Sequence, residues 1–337
     1  MTALPPAPPR ATAPFERLQA LVSDELGQVN GLIRERMSSE HAPRIPEISA
    51  HLIEAGGKRL RPILTLAAAK ACGYRGGDHM KLAAVVEFIH TATLLHDDVV
   101  DQSQQRRGRA TANILFDNKS SVLVGDYLFA RAFQLMVECG SLRVLDILSN
   151  AAAVIAEGEV LQLTTQHDLA TDVARYEQVI RGKTAALFAA ATEVGGVISG
   201  VEEEVVEALR TYGDGLGMAF QLADDVLDYG GTAAVMGKNT GDDFREGKVS
   251  LPVILAHRRG DATAQAFWRR TIVEARQEPE DLERAIGYLR ETGALEDALS
   301  AAKAQVARSR EALERLPESE VRSALAAVAD FVTDRVN

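Results

Sequence analysis

The pattern L-x-D-D-V-x-D occurs twice in this chain, at Leu95–Asp101 and at Leu222–Asp228. Each copy sets three aspartates into a run that is otherwise mostly apolar, LLHDDVVD in the first and QLADDVLD in the second. On a helix, residues four apart share a face, so Asp97 stacks on Asp101 and Asp224 on Asp228. Asp98 and Asp225 are rotated by about 100° toward the edge of that face. Like charges one turn apart destabilise a helix by roughly a few tenths of a kcal/mol. Neighbours such as Leu94, Leu95, Val99 and Val100 add a desolvation cost. A cation removes both penalties, so the pattern asks for two acidic helices facing each other across something positive.

The remainder of the sequence supplies the helices. Ala, Leu, Val and Glu dominate, aromatic residues are 5%, and strand-like alternation is hard to find, which favours helix throughout. From Phe15 onward apolar residues recur every three or four positions, at Leu18, Leu21, Val22, Leu26, Val29 and Ile33. Further helices are expected over about 43–55, 61–73, 77–103, 111–117, 120–140, 142–169 and 172–199. Others follow over about 202–230, 249–259, 262–277, 279–292, 294–315 and 318–336. Pro62 suits a first helical turn, Gly73 and Gly140 suit C-caps, and Pro317 separates two helices. Residues 1–14 carry five of the eleven prolines and are expected to form a disordered tail. With no internal repeat and no composition break, residues 15–337 read as one all-α domain.

Composition excludes several classes. A net charge of −11 argues against a nucleic-acid binder, which needs a basic face. Cys72 and Cys139 are too few for a disulfide framework or a thiolate metal site and suit a reducing cytoplasm, where both read as small buried hydrophobes. The N-terminus lacks the apolar core of a signal peptide, and no apolar run reaches the roughly 18 residues of a membrane span.

All the candidate ligands in the two clusters are oxygens, which points to Mg²⁺ or Mn²⁺ rather than zinc. Mg²⁺ takes one or two carboxylates and completes its coordination with water and phosphate oxygens. The clusters therefore predict a phosphorylated ligand between two facing helices. The bland alternative, two solvated acidic faces, suits one DDxxD better than two copies in matching apolar context. Positive charge for a diphosphate comes from three places. Gly56-Gly57-Lys58-Arg59-Leu60-Arg61-Pro62 is a glycine turn at a helix start, where exposed N–H groups favour anions. Arg106-Arg107-Gly108 follows Asp101, expected at the end of the same helix, and Arg is a natural bidentate partner of phosphate. Gly237-Lys238 and Gly247-Lys248 flank the acidic stretch GDDFRE. Each alone reads as a surface charge; together they frame a site.

In this order and spacing, GGKRLRP, LLHDDVVDxSxxRRG, GKT at Gly182–Thr184, QLADDVLD and GKNTGDDFREGK resemble the trans-type polyprenyl diphosphate synthases over almost the whole chain after residue 15. The resemblance implies the all-α isoprenoid synthase fold, a helical barrel around a deep central cavity, as a homodimer. It implies condensation of isopentenyl diphosphate onto an allylic diphosphate, with three Mg²⁺ per site. Asp97 and Asp101 would hold two of them and Asp224 the third, with Asp98, Asp225 and Asp228 supporting from behind. Lys58, Arg61, His90 and Arg107 would bind isopentenyl diphosphate. Arg106, Lys183, Lys238 and Lys248 would bind the allylic diphosphate, with Thr184 and Gln221 near the reacting atoms. Without the resemblance, His90 reads as a hydrogen-bonded core histidine, and His96 takes no role. The GKT triplet is not a P-loop, since the upstream glycine and the strand are missing.

A growing product would run from the first cluster toward the start of its helix, past Thr93 and Ala92 and then Ile89 and Phe88. Short-chain members place bulky aromatics at the first two positions, and here both are small. Each helical turn adds about 5.4 Å, roughly one isoprene unit. A product of eight to ten units for a quinone side chain is expected, with farnesyl diphosphate as primer, and Leu128, Phe129 and Phe133 are candidates for the tunnel's end. The wording EFIHTATLLHDDVVD also looks like the bacterial octaprenyl, solanesyl and decaprenyl synthases. The rivals are a geranylgeranyl diphosphate synthase, a terpene cyclase and a non-catalytic regulatory subunit. A cyclase would lack the GGKRLRP pocket, and a regulatory subunit would lose metal-binding aspartates.

Overall fold

The computed structural model describes residues 13–54, 57–106, 108–230 and 241–336. Residues 1–12 of the expected tail, and Gly56, Arg107, Gly237 and Lys238, lie outside the described residues. The regular secondary structure of the described residues is helical apart from one two-stranded hairpin. The first helices are α1 (Ala13–Ala20), α2 (Ser23–Arg36), α3 (Arg44–Glu54), α4 (Leu60–Ala71) and α5 (Asp78–Val100). After the hairpin β1 (Gln105–Arg106) and β2 (Arg109–Ala110) come α6 (Ala112–Leu115), α7 (Asn118–Glu138), α8 (Leu142–Thr165) and α9 (Val173–Ile180). A π-helical turn, Arg181–Ala185, leads into α10 (Ala186–Ser199), followed by α11 (Glu203–Gly230), α12 (Asp242–Arg245) and α13 (Leu251–Arg259). Next are α14 (Ala262–Trp268), a second π turn (Arg269–Val273), α15 (Asp281–Glu291), α16 (Ala294–Leu313) and α17 (Glu320–Asp334).

Most boundaries follow the expected punctuation. Gly73 and Gly140 take φ of +73° and +67° just past α4 and α7, the left-handed cap that glycine adopts without a Cβ penalty. Three features depart from the sequence reading. The helix expected from Phe15 breaks at Leu21–Val22, where no glycine or proline announces a turn. The helix over 77–103 stops at Val100, and Gln102 turns to a φ of +51°. Arg106 therefore sits in a hairpin that folds back, with Gly108 at its turn, rather than at the end of the aspartate helix. The helix expected over 172–199 carries the π turn at 181–185, which the apolar period does not register.

Helices α4, α5, α7, α8 and α10 form a closed ring, each packed against the next and α10 against α4. Helix α11 lies against α10 on one side and α16 on the other. One apolar cluster takes Ile63, Leu64, Phe88, Leu128 and Phe188 from the helices of the ring. A second, around Trp268, Phe267 and Phe244, fills the space between α11 and the C-terminal helices. Helix α11 contributes Leu216 and Ala219 to the first, and Leu222 and Val226 to the second. The second aspartate triplet is thus carried by a helix fixed on both flanks. No described helix is long and apolar enough to cross a membrane.

Candidate active site

The two aspartate helices are joined by the π turn. Lys183 Nζ lies 3.9 Å from Asp97 Oδ2 on α5, and the next residue, Thr184, donates from Oγ1 to Gln221 Oε1 on α11 at 2.9 Å. The turn approaches α8 closely because two glycines meet there: a Cβ on Gly158 would come within 2.7 Å of the Lys183 nitrogen, and one on Gly182 within 3.0 Å of Gly158 Cα. π-Helical turns recur at functional sites because the extra residue redirects side chains. Here it sends successive side chains to opposite walls.

Within each triplet the aspartates divide their roles. Asp98 is buried, and its Oδ1 accepts from Arg106 Nε at 3.0 Å and Nη2 at 2.8 Å. Its Oδ2 is buried with no hydrogen-bond partner. Arg106 therefore reaches the site while tied to the helix it follows. Asn113 fastens the end of α5 by donating to the carbonyls of Asp98 and Ser103. Asp97 and Asp101 remain one turn apart, joined by an Asp101 N–H to Asp97 carbonyl bond of 2.8 Å. Burial pushes the Asp97 carboxyl up to about 7; Lys183 opposes the rise, and Glu159 and Asp101 add to it.

In the second triplet, Asp225 is buried and accepts from the Tyr176 hydroxyl at 2.6 Å and Gln221 Nε2 at 2.8 Å. Burial, with the charge of Asp243, pushes it up to about 8 despite those bonds. Asp228 accepts from the backbone N–H groups of Asp242 and Asp243, at 3.2 and 3.1 Å, and so starts α12. Burial first, then Asp243, raises it to about 7. Asp224, with 43% of its side chain exposed, accepts from Arg335 Nη2 at 2.6 Å.

The basic residues surround these carboxylates. Arg61 donates from Nη1 to His90 Nε2 at 3.3 Å and lies 4.4 Å above the Phe188 ring. Burial lowers it to about 10, with Glu87 opposing. Glu87 also pairs with Arg59, whose φ of +50° shapes the loop. Lys58 is exposed. Lys248 lies 3.5 Å from Asp243 and 2.5 Å from Glu246. Burial alone would lower it, but Asp243, Glu246 and the more distant Asp101 hold it above the ordinary lysine range. Its segment is clamped by Gln166 Nε2 on the Glu246 carbonyl and by the His167 N–H on the Gly247 carbonyl. A pocket lined by Lys183, Thr184, Gln221, Asp243 and Lys248 joins these elements. Arg107 and Lys238 are outside the described residues.

Of the chain-length positions, Ile89 and Ala92 are fully buried on α5, and Thr93 turns its hydroxyl to the His90 carbonyl at 2.8 Å. Leu128 is buried with them, whereas Phe133 is 42% exposed. Phe133 therefore lies on the outer flank of α7 in the single chain. His96 takes a packing role: its Nε2 meets the Val122 carbonyl at 3.1 Å, over Gly125, where a Cβ would lie 2.2 Å from the ring. The sequence reading missed Tyr176, Glu159 and Arg335, which no local motif marks, and Asp243, which it quoted without a role.

The residues present suit a divalent metal. The donors are all carboxylate oxygens, and among the described residues no three metal-binding side chains converge on one point. One or two carboxylates aided by phosphate oxygens is the coordination Mg²⁺ accepts. The crowding of Asp97 by Asp101 and Glu159 is the strain that a cation relieves.

Residues 42–289 match the family described as polyprenyl synthetase. The chain is 43% identical to the octaprenyl diphosphate synthase of Escherichia coli strain K12, over 95% of this chain and 99% of that one. The crystal structure of a decaprenyl diphosphate synthase from Rhodobacter capsulatus superposes with a TM-score of 0.93 at 61% identity, over 96% of this chain and 99% of that one. A polyprenyl synthase from Caulobacter crescentus CB15, complexed with calcium and isoprenyl diphosphate, gives 0.91 at 51%, over 95% and 97%.

The raised Asp97 carboxyl predicts a pH dependence. Between about pH 4 and 7 the folded chain holds a proton there that the unfolded chain has lost, so this group's contribution to stability falls as pH rises. Asp97→Asn should therefore melt above the wild type in metal-free buffer at about pH 8, with the gap narrowing toward about pH 5. A variant less stable than wild type at the higher pH would contradict the assignment.

Proposed function

The chain belongs to the polyprenyl synthetase family, and on that premise we propose that it is a long-chain trans-polyprenyl diphosphate synthase. It extends an allylic diphosphate, with farnesyl diphosphate as primer, by head-to-tail addition of isopentenyl diphosphate to eight to ten units for a quinone side chain. The observation that carries this reading is the π turn, which joins two acidic helices across a site framed by Arg106, Lys183 and Lys248.

Three Mg²⁺ ions, held by Asp97, Asp101 and Asp224, would supply the positive charge that stabilises the departing diphosphate. Arg106, Lys183 and Lys248, with Lys238, bind that diphosphate and orient its C1–O bond. Lys58, Arg61 and Arg107, with His90 fixing Arg61, hold isopentenyl diphosphate so that its alkene faces C1. As the C1–O bond breaks, the electron pair leaves with the diphosphate oxygen. The oxygens of Thr184 and Gln221 lie beside the allylic cation, where fixed dipoles stabilise developing charge. The alkene attacks C1, and the proton lost from the new chain passes to the released diphosphate, so no nucleophilic serine or cysteine is required.

The small Ala92 and Thr93 support a long product, because neither position places a ring directly beneath Asp97. The exposed apolar residues Leu123, Val137, Leu142, Val160 and Leu163 on α7 and α8 support a homodimer through that flank. Cys72 and Cys139 are both free, in keeping with a reducing cytoplasm, and the apolar product would be handed to a membrane. A geranylgeranyl diphosphate synthase is the second reading, favoured by the buried Ile89 and Phe88 one turn below the small pair.

Purified protein given Mg²⁺, farnesyl diphosphate and labelled isopentenyl diphosphate should yield a ladder of products ending near eight to ten units. A twenty-carbon end product would favour the second reading, and no product from folded protein would point to a regulatory subunit. Ala92→Phe should shorten the longest product by several units while leaving the first condensation in place. Unchanged product length in that variant would remove the argument from small residues.

A further inference from the structure

Glu159 lies one residue after Gly158, at the point where α8 touches the π turn. Its Oε2 meets Lys183 Nζ at 2.7 Å, while the same ammonium group lies 3.9 Å from Asp97. The close approach of Gly158 and Gly182 fixes the register, so the residues that follow them, Glu159 and Lys183, must face each other. Lys183 thus stands between carboxylates from α8 and α5, with Asp101 one turn beyond. In the absence of metal, a diphosphate entering this site finds its lysine engaged and several negative charges turned toward it.

Resting on the reading of this site as a metal–diphosphate centre, we propose that Glu159 is a positioning residue that makes diphosphate binding depend on the metal. It holds Lys183 away from an anion that arrives without cations. When the cations come with the diphosphate, they offset Asp97, Asp101 and Glu159 together, and Lys183 is released to the phosphate oxygens. Removing the charge of Glu159 should therefore move two affinities in opposite directions. Metal-free diphosphate should bind more tightly because Lys183 is available, and the Mg²⁺ requirement should rise because one attractive charge is gone. Loss of packing or of local structure would weaken both.

The test is calorimetric titration of inorganic diphosphate into the full-length protein, in chelator and across a series of Mg²⁺ concentrations. Wild type, Glu159→Gln and Glu159→Asp are compared. In chelator, Glu159→Gln should bind diphosphate about tenfold more tightly than wild type, the effect of one partly screened charge contact. Its half-saturating Mg²⁺ concentration should rise several-fold. Glu159→Asp, which keeps the charge on a shorter arm, should shift both in the same directions but less, and it carries the test should the glutamine variant not fold. Affinities unchanged in both conditions, or lowered in both, would overturn the role given to Glu159 while leaving the centre intact. A wild type whose diphosphate binding ignores Mg²⁺ would overturn the centre and this inference with it.

Discussion

Lys183 and Thr184 are consecutive residues that reach opposite walls of one site, and the rest of the arrangement depends on that bridge. Lys183 faces Asp97 on α5, and Thr184 is bonded to Gln221 on α11. A regular α-helix continuing from α9 into α10 would lack the extra residue that the π turn supplies. Gly158 and Gly182 allow the turn to press on α8, and through it the ring of helices and the doubly buttressed α11 share one reference point.

The second constraint is the cost of carboxylates in low-dielectric surroundings. Six aspartates placed in apolar helices cannot all face one cation, and the fold uses three of them as architecture. Asp98 holds the hairpin through Arg106, Asp225 holds α9 through Tyr176, and Asp228 supplies the acceptors that begin α12. Each accepts from donors on a neighbouring element, although Asp98 Oδ2 stays buried without a partner. The remaining three, Asp97, Asp101 and Asp224, the last engaged by Arg335, are those proposed to meet a ligand that brings positive charge. The second triplet therefore fixes the lysine segment too, since α12 leads directly to Lys248.

How much of this was legible in the sequence follows from what each signal measures. Apolar period locates helices, because burial of a stripe leaves a mark every three or four residues, and glycine located the caps at Gly73 and Gly140. The doubled aspartate pattern pointed to the candidate site, because charge inside an apolar run has to be compensated. Period does not register an added residue, so the π turn at 181–185 was invisible. The break at Leu21–Val22 had no glycine or proline to mark it, and the two-residue strands that carry Arg106 were too short to alternate. Tyr176 and Glu159 join the site through contacts 49 and 24 residues away in sequence, which no local pattern encodes. The side that Phe133 takes was illegible for a related reason: α7 is apolar on both its inner and outer flanks, so its sequence does not say which side faces the ring.

Helices α5 and α11 are proposed to hold divalent metal between them as partners of a diphosphate. The most direct measurement is anomalous diffraction from crystals grown with Mn²⁺ and inorganic diphosphate. Metal peaks are expected beside Asp97 and Asp101 on one side and Asp224 on the other, with the diphosphate between them and Arg335 displaced from Asp224. Metal peaks away from both triplets, or a diphosphate bound there without metal, would contradict it.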